Sequence, residues 1–267
     1  MEEFTLVFNP IGSGLALVWD FVAMVVSIIA VMMVVRINAA IRHREALSSD
    51  VTRKLVHIFA APVFSITWFL YAGTYLSRFI AAVVPILFVL LFLGIGTGKV
   101  KNDDFVKSMS RSGDPRELLH GTLYYSVMIV IITIGWFYAP VFNPLAFIMF
   151  GCLAGGDGIA DIVGRKFGGE RKFGIGGAQK TVAGSMGMFI GSLLFSTILV
   201  ALYAIEAGFD VVALFTPILI ICVVATFVEV LTPKNLDNWT VPISVVVVAY
   251  FLSVFAPAMW PYALWTL

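Results

Sequence analysis

Eight stretches of this sequence are apolar enough and long enough, or nearly so, to cross a hydrocarbon layer roughly 30 Å thick. They run Leu15–Val35, broken only by Asp20, then Leu55–Tyr75, Phe79–Gly94, Leu119–Ala139, Pro144–Gly164, Ala183–Ile205, Val211–Leu231 and Val241–Trp260. Backbone polar groups inside lipid must be satisfied within the segment, so segments of this length are helices. The fold expected is all-α: a polytopic helical bundle integral to the membrane, with about eight transmembrane helices. The third stretch is the shortest, which leaves seven spans plus a re-entrant piece as the alternative. Only 12% of the 267 residues are charged, about half the share of a soluble domain. A water-soluble chain is excluded, and a net charge of +1 gives no case for a nucleic-acid partner.

The basic residues set a topology. Arg36, Arg42, Arg44, Arg53 and Lys54 fall in the first connection, and Lys99, Lys101, Lys107, Arg111 and Arg116 in the third. Arg165, Lys166, Arg171, Lys172 and Lys180 fall in the fifth and Lys234 in the seventh, so Arg78 alone of the 17 Lys and Arg lies on the other set. The positive-inside rule then predicts cytoplasmic odd-numbered loops and both termini extracytoplasmic. Glu2 and Glu3 stand where a secretory signal needs positive charge, and no Arg/Ser-rich transit stretch precedes the first span. On that ground the expected location is a prokaryotic cell membrane, with the chemistry on its cytoplasmic side. Cys152 and Cys222 lie inside apolar spans without metal-site spacing and read as small packing residues.

Basic loops alone could simply face anionic headgroups. The residues among them ask for more. In Gly155-Gly156-Asp157-Gly158-Ile159-Ala160-Asp161-Ile162-Val163-Gly164-Arg165, Asp157 and Asp161 are four apart and share one helical face. Two carboxylates there need positive charge between them. A divalent cation supplies it economically, and Mg²⁺ is typically held by one or two carboxylates plus substrate phosphates. Pairing with Arg165 and Lys166 is the plainer alternative. Gly156, Gly158 and Gly164 leave room for a ligand or for another backbone.

A glycine-rich turn follows, with Gly174, Gly176 and Gly177 ahead of Lys180, Thr181, Gly184 and Ser185. Clustered backbone N–H groups and a helix start suit phosphate oxygens, and Lys180 adds a point charge. Gln179 stands where a Walker A loop needs glycine, so this is a different cradle. Gly184, Gly187 and Gly191 also form a helix-packing stripe.

Other polar residues fall at the same membrane depth: Arg53, Lys54 and His57 at the start of the second span, Glu117 and His120 at the fourth. Glu229 ends the seventh, and Asp237 with Asn238 precedes the eighth. Asp20 reads as a shallow interfacial acid on the opposite face. With Asp157 and Asp161 committed to a metal, the candidates for a general base are His57, His120, Glu229 and Asp237. Glu229 stands out because it closes an apolar span. Its plainer alternative is an ion pair with Lys234 or a basic residue of another loop.

These pieces resemble the polyprenol kinase family: dolichol, phytol and farnesol kinases and CTP-dependent diacylglycerol kinase. The matching residues are Arg53-Lys54-x-x-His57, Glu117-Leu118-Leu119-His120-Gly121 with Tyr124-Tyr125, and Gly156-Asp157-Gly158-x-Ala160-Asp161 with Gly164-Arg165. Lys180-Thr181-x-x-Gly184-Ser185 and Asp237-Asn238-x-Thr240-Val241-Pro242 complete them. The Glu-Leu-Leu-x-Gly piece looks most like the phytol kinase branch, with His120 where Arg or Tyr is expected and Thr122 where Pro is. The resemblance implies one transmembrane kinase domain over 1–267, with a variable first span and loop over about 1–50 and a family core over 51–245. It implies CTP as phosphoryl donor, with Mg²⁺, and a long-chain isoprenoid alcohol (phytol, geranylgeraniol or a polyprenol) as acceptor in the bilayer. A phosphatidate cytidylyltransferase-like enzyme, also CTP-dependent, is the alternative, and a transporter with an acidic site a third.

Overall fold

The computed structural model of the chain describes residues 13–44, 49–110 and 112–266. Glu2, Glu3 and Arg111, invoked above, lie outside them. The described chain runs through α1 (Ala16–His43), α2 (Ser49–Ile66), α3 (Ser77–Gly96), the short α4 (Asp103–Met109) and α5 (Gly121–Trp136). It continues through α6 (Leu145–Phe150), α7 (Asp157–Phe167), α8 (Val182–Ala207), α9 (Val211–Leu231) and α10 (Asp237–Phe255). Among the described residues there is no strand, only an isolated antiparallel bridge between Phe173 and Lys180.

Seven helical segments of the described chain are long and apolar enough to cross a membrane. They are α1, α3, α5 with the 3-10 turn before it, the continuous Leu145–Phe167, α8, α9 and α10. The third stretch, shortest in the sequence, is a 20-residue helix. The segment outside the seven is α2, which carries Asp50, Arg53 and Lys54 in its first two turns. Helix ends follow caps rather than hydropathy. The Thr181 side chain accepts from Gly184 N at 3.0 Å before α8, and Asp210 from Ala213 N at 3.0 Å before α9. The last helix starts at Asp237 rather than Val241, which draws Asp237 and Asn238 into its first turn.

Leu145–Phe167 is the most deeply buried of the seven segments. It carries a π-helical stretch, Gly151–Gly156, directly before Asp157. Glycine is required there because α8 crosses backbone against backbone. A Cβ on Gly191 would stand 2.6 Å from Gly155 O, and one on Gly156 2.2 Å from Ser192 Oγ. This is small-residue packing of membrane helices, and it fixes α7, with its aspartates, against the start of α8.

The opposite end corrects the reading of Asp20. It is wholly buried, accepting hydrogen bonds from Ala72 N and Ser77 Oγ, each at 2.7 Å. Buried carboxylates persist only when such donors replace water, and Asp20 uses its own to tie α1 to the α2–α3 connection. Arg78 is also wholly buried, donating to the carbonyls of Ile134 (3.2 Å) and Ala139 (3.4 Å) and to Thr266 Oγ1 (3.3 Å).

Candidate active site

A cavity of about 890 Å³ occupies the end of the bundle where α2, α5, α7, the loop before α8 and the α9–α10 connection meet. Its polar wall is built from ion pairs. Lys54 Nζ donates to Asp157 Oδ2 at 3.0 Å, bridging α2 and α7. His57, one turn along α2, places Nε2 3.0 Å from Asp157 Oδ2 and 3.2 Å from Leu153 O. The Tyr125 ring lies 4.1 Å from the imidazole, and its hydroxyl donates to His57 O at 2.7 Å. Asp161 faces Arg165 at 3.1 Å and Arg53 at 3.9 Å. The positive charge that the sequence assigned to a metal between the two aspartates is thus met by Lys54, Arg53 and Arg165, with the His57 imidazole beside them. Arg165 pairs with Asp161 as the plainer alternative held.

The glycine-rich loop is closed at its neck by two backbone hydrogen bonds, Phe173 N to Lys180 O at 3.0 Å and Lys180 N to Phe173 O at 2.7 Å. That neck aims Lys180 across to α9 and α10. Its Nζ donates to Glu229 and lies 3.7 Å from Asp237 Oδ2. Burial opposes the charge on Lys180, but the carboxylates of Glu229 and Asp237 outweigh it and raise its pKa above the ordinary lysine value. Glu229, buried at 3% exposure, pairs with Lys180 and not with Lys234.

Thr181, Gly184, Ser185, Gly164, Gly177 and Asn238 also line the cavity, as do Glu117 and His120 on the α5 side. Glu117 is held by Ser110 Oγ, which donates to it at 2.8 Å. Four glycines singled out in the sequence lie elsewhere. Gly156 faces α8, and a Cβ on Gly158 would meet Ile58 at 2.1 Å. A Cβ on Gly176 would meet Pro233 at 2.7 Å, so this glycine docks the loop on the α9–α10 connection. Gly174, with φ +143°, packs against Ala178 O. Their missing side chains serve chain packing.

The sequence reading missed the other half of the cavity. Beyond His57 its wall turns apolar, with Val31, Val35, Phe64, Val84, Phe88 and Ile129 from α1, α2, α3 and α5. Nothing in a hydropathy pattern separates such residues from lipid-facing ones. The first span, read as a variable addition, is one wall of this space.

The donor set is compatible with Mg²⁺. Asn238 Oδ1 is buried without a hydrogen-bond partner, a hard oxygen on the same wall as the aspartates. Among the described residues no three His, Cys, Asp or Glu side chains gather into a metal cage. A cation held by one or two carboxylates and substrate phosphates needs none.

No protein-family model matches the chain, and no solved structure does. Named plant enzymes do. The chain is 32% identical over 225 residues to a probable chloroplastic phytol kinase of Triticum aestivum, covering 82% of this chain and 72% of that one. It is 34% identical over 221 residues to probable phytol kinase 1, chloroplastic, of Glycine max, covering 81% and 72%. It is 39% identical over 153 residues to the chloroplastic farnesol kinase of Arabidopsis thaliana, covering 57% and 48%. These relatives are chloroplastic plant enzymes, which overturns the expectation of a prokaryotic cell membrane. That expectation rested on what precedes the first span, and the start of a sequence carries no such information. With this extent of identity, the chain belongs to the phytol- and farnesol-kinase-like polyprenol kinase family.

Proposed function

We propose that this protein is a membrane kinase that transfers the γ-phosphoryl group of CTP to the hydroxyl of an isoprenoid alcohol. One observation supports this above the rest: a single cavity joins a wall of ion pairs to an apolar arm, with His57 at the junction. An amphiphilic acceptor fits such a space with its tail in the arm and its hydroxyl beside the charges. The relatives' names support the reaction class, and CTP as donor follows from the resemblance to the polyprenol kinases.

In this reading Lys54, Arg53 and Arg165 exchange their carboxylate partners for donor phosphate oxygens, and Lys180 adds a phosphate oxygen while it keeps Glu229. The cavity holds Arg53, Lys54, Arg165, Lys172, Lys180 and Lys234 against Glu117, Asp157, Asp161, Glu229 and Asp237. Cations and carboxylates are nearly balanced, so an incoming polyphosphate needs more positive charge than the lysines have to spare. Mg²⁺, held by Asp157, Asp161 and Asn238, would supply it and neutralise charge developing on the transferred group. The acceptor oxygen bonds to the γ-phosphorus as the bond to the bridging oxygen breaks, and CDP leaves. The hydroxyl proton goes to His57. Two oxygens beside Nε2 favour the N–H there, which leaves the lone pair on Nδ1. Glu229, committed to Lys180, positions that lysine.

We further infer that α2, extended by the 3-10 turn Thr67–Leu70, crosses with the other seven segments. Eight spans put the cavity on the positive-inside face and both termini on the other.

The test is purified protein incubated with phytol and CTP labelled in its γ-phosphate, beside ATP and UTP. The expected product is a labelled lipid monophosphate, formed best from CTP. Transfer of label from the α-phosphate instead would identify a cytidylyltransferase, and no labelled lipid from any acceptor would defeat the reading.

A further inference from the structure

The apolar arm has a floor. On α2 the cavity is lined as far in as Phe64, and the next inward-facing residues, Thr67 and Trp68, are outside it. On α1 the lining stops at Val31, on α3 at Val84 and on α5 at Ile129. The lining thus ends on all four helices. What lies below is packed solid. Ser27 Oγ donates to Thr67 Oγ1 at 2.7 Å and meets Tyr71 Oη at 3.1 Å. Trp68 is wholly buried among Phe137, Phe147 and Phe150. Phe64 rests edge-on against Trp68 with ring centroids 5.9 Å apart. Phe64 and Val84 are themselves 2% and 1% exposed, so neither can swing aside without opening a packed core.

The depth is short. From His57 to Phe64 is two helical turns, about 10 Å at 1.5 Å per residue. A hydrocarbon layer is roughly 30 Å thick, so the arm takes up about a third of it. A tail of a few isoprene units fills such a space, and a polyprenol-length tail does not. The outer wall is α1, whose inner face (Ala23, Ser27, Val31, Val35) packs on α2 and α3 and screens the arm from lipid.

We propose that Phe64 and Val84 form a molecular ruler that restricts the acceptor to short isoprenoid alcohols. This rests on the kinase reading for the identity of the site, but the ruler acts on the tail and leaves the donor untouched. Phe64→Ala deepens the arm and Val84→Phe raises its floor.

The experiment uses a set of isoprenoid alcohols that lengthens one isoprene unit at a time, up to polyprenol length. Two quantities are read on the full-length protein in detergent: thermal stabilisation by each alcohol without nucleotide, and kcat/KM for each with CTP. Wild type is expected to bind and turn over the short alcohols and to fail with polyprenols. Phe64→Ala should move both optima one unit or more toward longer alcohols, and Val84→Phe should move them toward shorter ones. Phe64→Leu, a smaller change, shifts them in the same direction as Phe64→Ala if the alanine variant does not fold. Unshifted optima in folded variants, or polyprenols accepted as well as short alcohols by wild type, overturn the ruler while leaving the kinase intact. If no alcohol is phosphorylated, the kinase reading fails instead, and the binding profile still decides whether Phe64 sets length.

Discussion

Both ends of this bundle bury charge, and they do so in opposite ways. At one end Asp20 and Arg78 are each held by backbone groups and hydroxyls, away from the cavity of the candidate site. At the other, Lys54 and Lys180 pair with the carboxylates of Asp157 and Glu229, which line a cavity. A charge held by neutral dipoles cannot be released without leaving those dipoles bare. A charge held by an opposite charge can change partners when a ligand brings a better one. Burial of an ionisable residue in a membrane protein does not by itself mark a site; an exchangeable partner beside open space does.

The sharpest way to break this contrast is Asp157→Asn. It removes the charge that Lys54 and His57 share and leaves the proposed metal a neutral amide oxygen in place of a carboxylate. Turnover should fall by roughly 10²–10³ or more while the protein still inserts and folds. Near-wild-type kcat would sink the assignment. Next is Lys180→Ala, expected to weaken nucleotide binding and slow turnover together. Lys180→Arg should recover little, because a planar fork does not replace a compact point charge. Unchanged CTP affinity in the alanine variant would contradict the role. The same lysine gives a pH signature. Its folded pKa is raised, so its stabilising ion pair is fully present below the unfolded value near 10.4 and is lost as pH rises through the folded one. Thermal stability of the nucleotide-free protein should therefore drop at alkaline pH, and Lys180→Met should flatten that limb.

At the opposite end the expected effect changes kind. Asp20→Ala leaves Ala72 N–H and Ser77 Oγ without their acceptor, at a cost of about 1–3 kcal/mol for each unsatisfied group. The unfolding midpoint should fall with kcat and KM for CTP unchanged in the folded fraction. A loss of kcat at unchanged stability would erase the distinction between the two ends.

How far the sequence was legible follows from the same physics. Span seven was readable to its termini because Asp210 and Thr232 flank an unbroken apolar run. Span eight was read late because Asp237 and Asn238 are polar yet helical. The charged wall was legible because polar residues inside apolar blocks are conspicuous. The roles of Gly156 and Gly158 were not, because a missing side chain makes room for a ligand or a helix alike. The apolar arm left no trace, since Phe64 and a lipid-facing phenylalanine have the same hydropathy. Asp20 was misplaced because a hydropathy profile shows depth but not the donors on neighbouring segments.

The smallest expected effect concerns Glu229, and it separates two roles for one carboxylate. Were Glu229 the base that takes the acceptor proton, Glu229→Gln would lower kcat by roughly 10²–10⁴. Its geometry argues for the lesser role. It lines the cavity, but it is 3% exposed and its Oε1 is bonded to Lys180, which ties the carboxylate to that lysine. In the glutamine variant Lys180 keeps Asp237, 3.7 Å away, as a charged partner. Position and charge of the lysine are then partly retained. The variant should show a weaker KM for CTP, a lower unfolding midpoint, and a loss in kcat well short of that range. His57→Gln, by contrast, should lose kcat within it while CTP binding holds, because the lone pair at Nδ1 is replaced by an amide that takes no proton. Measuring both variants with saturating CTP and phytol decides between them. A full-sized kcat loss at Glu229 with His57→Gln near wild type would return the proton to the carboxylate and reduce the histidine to a helix contact.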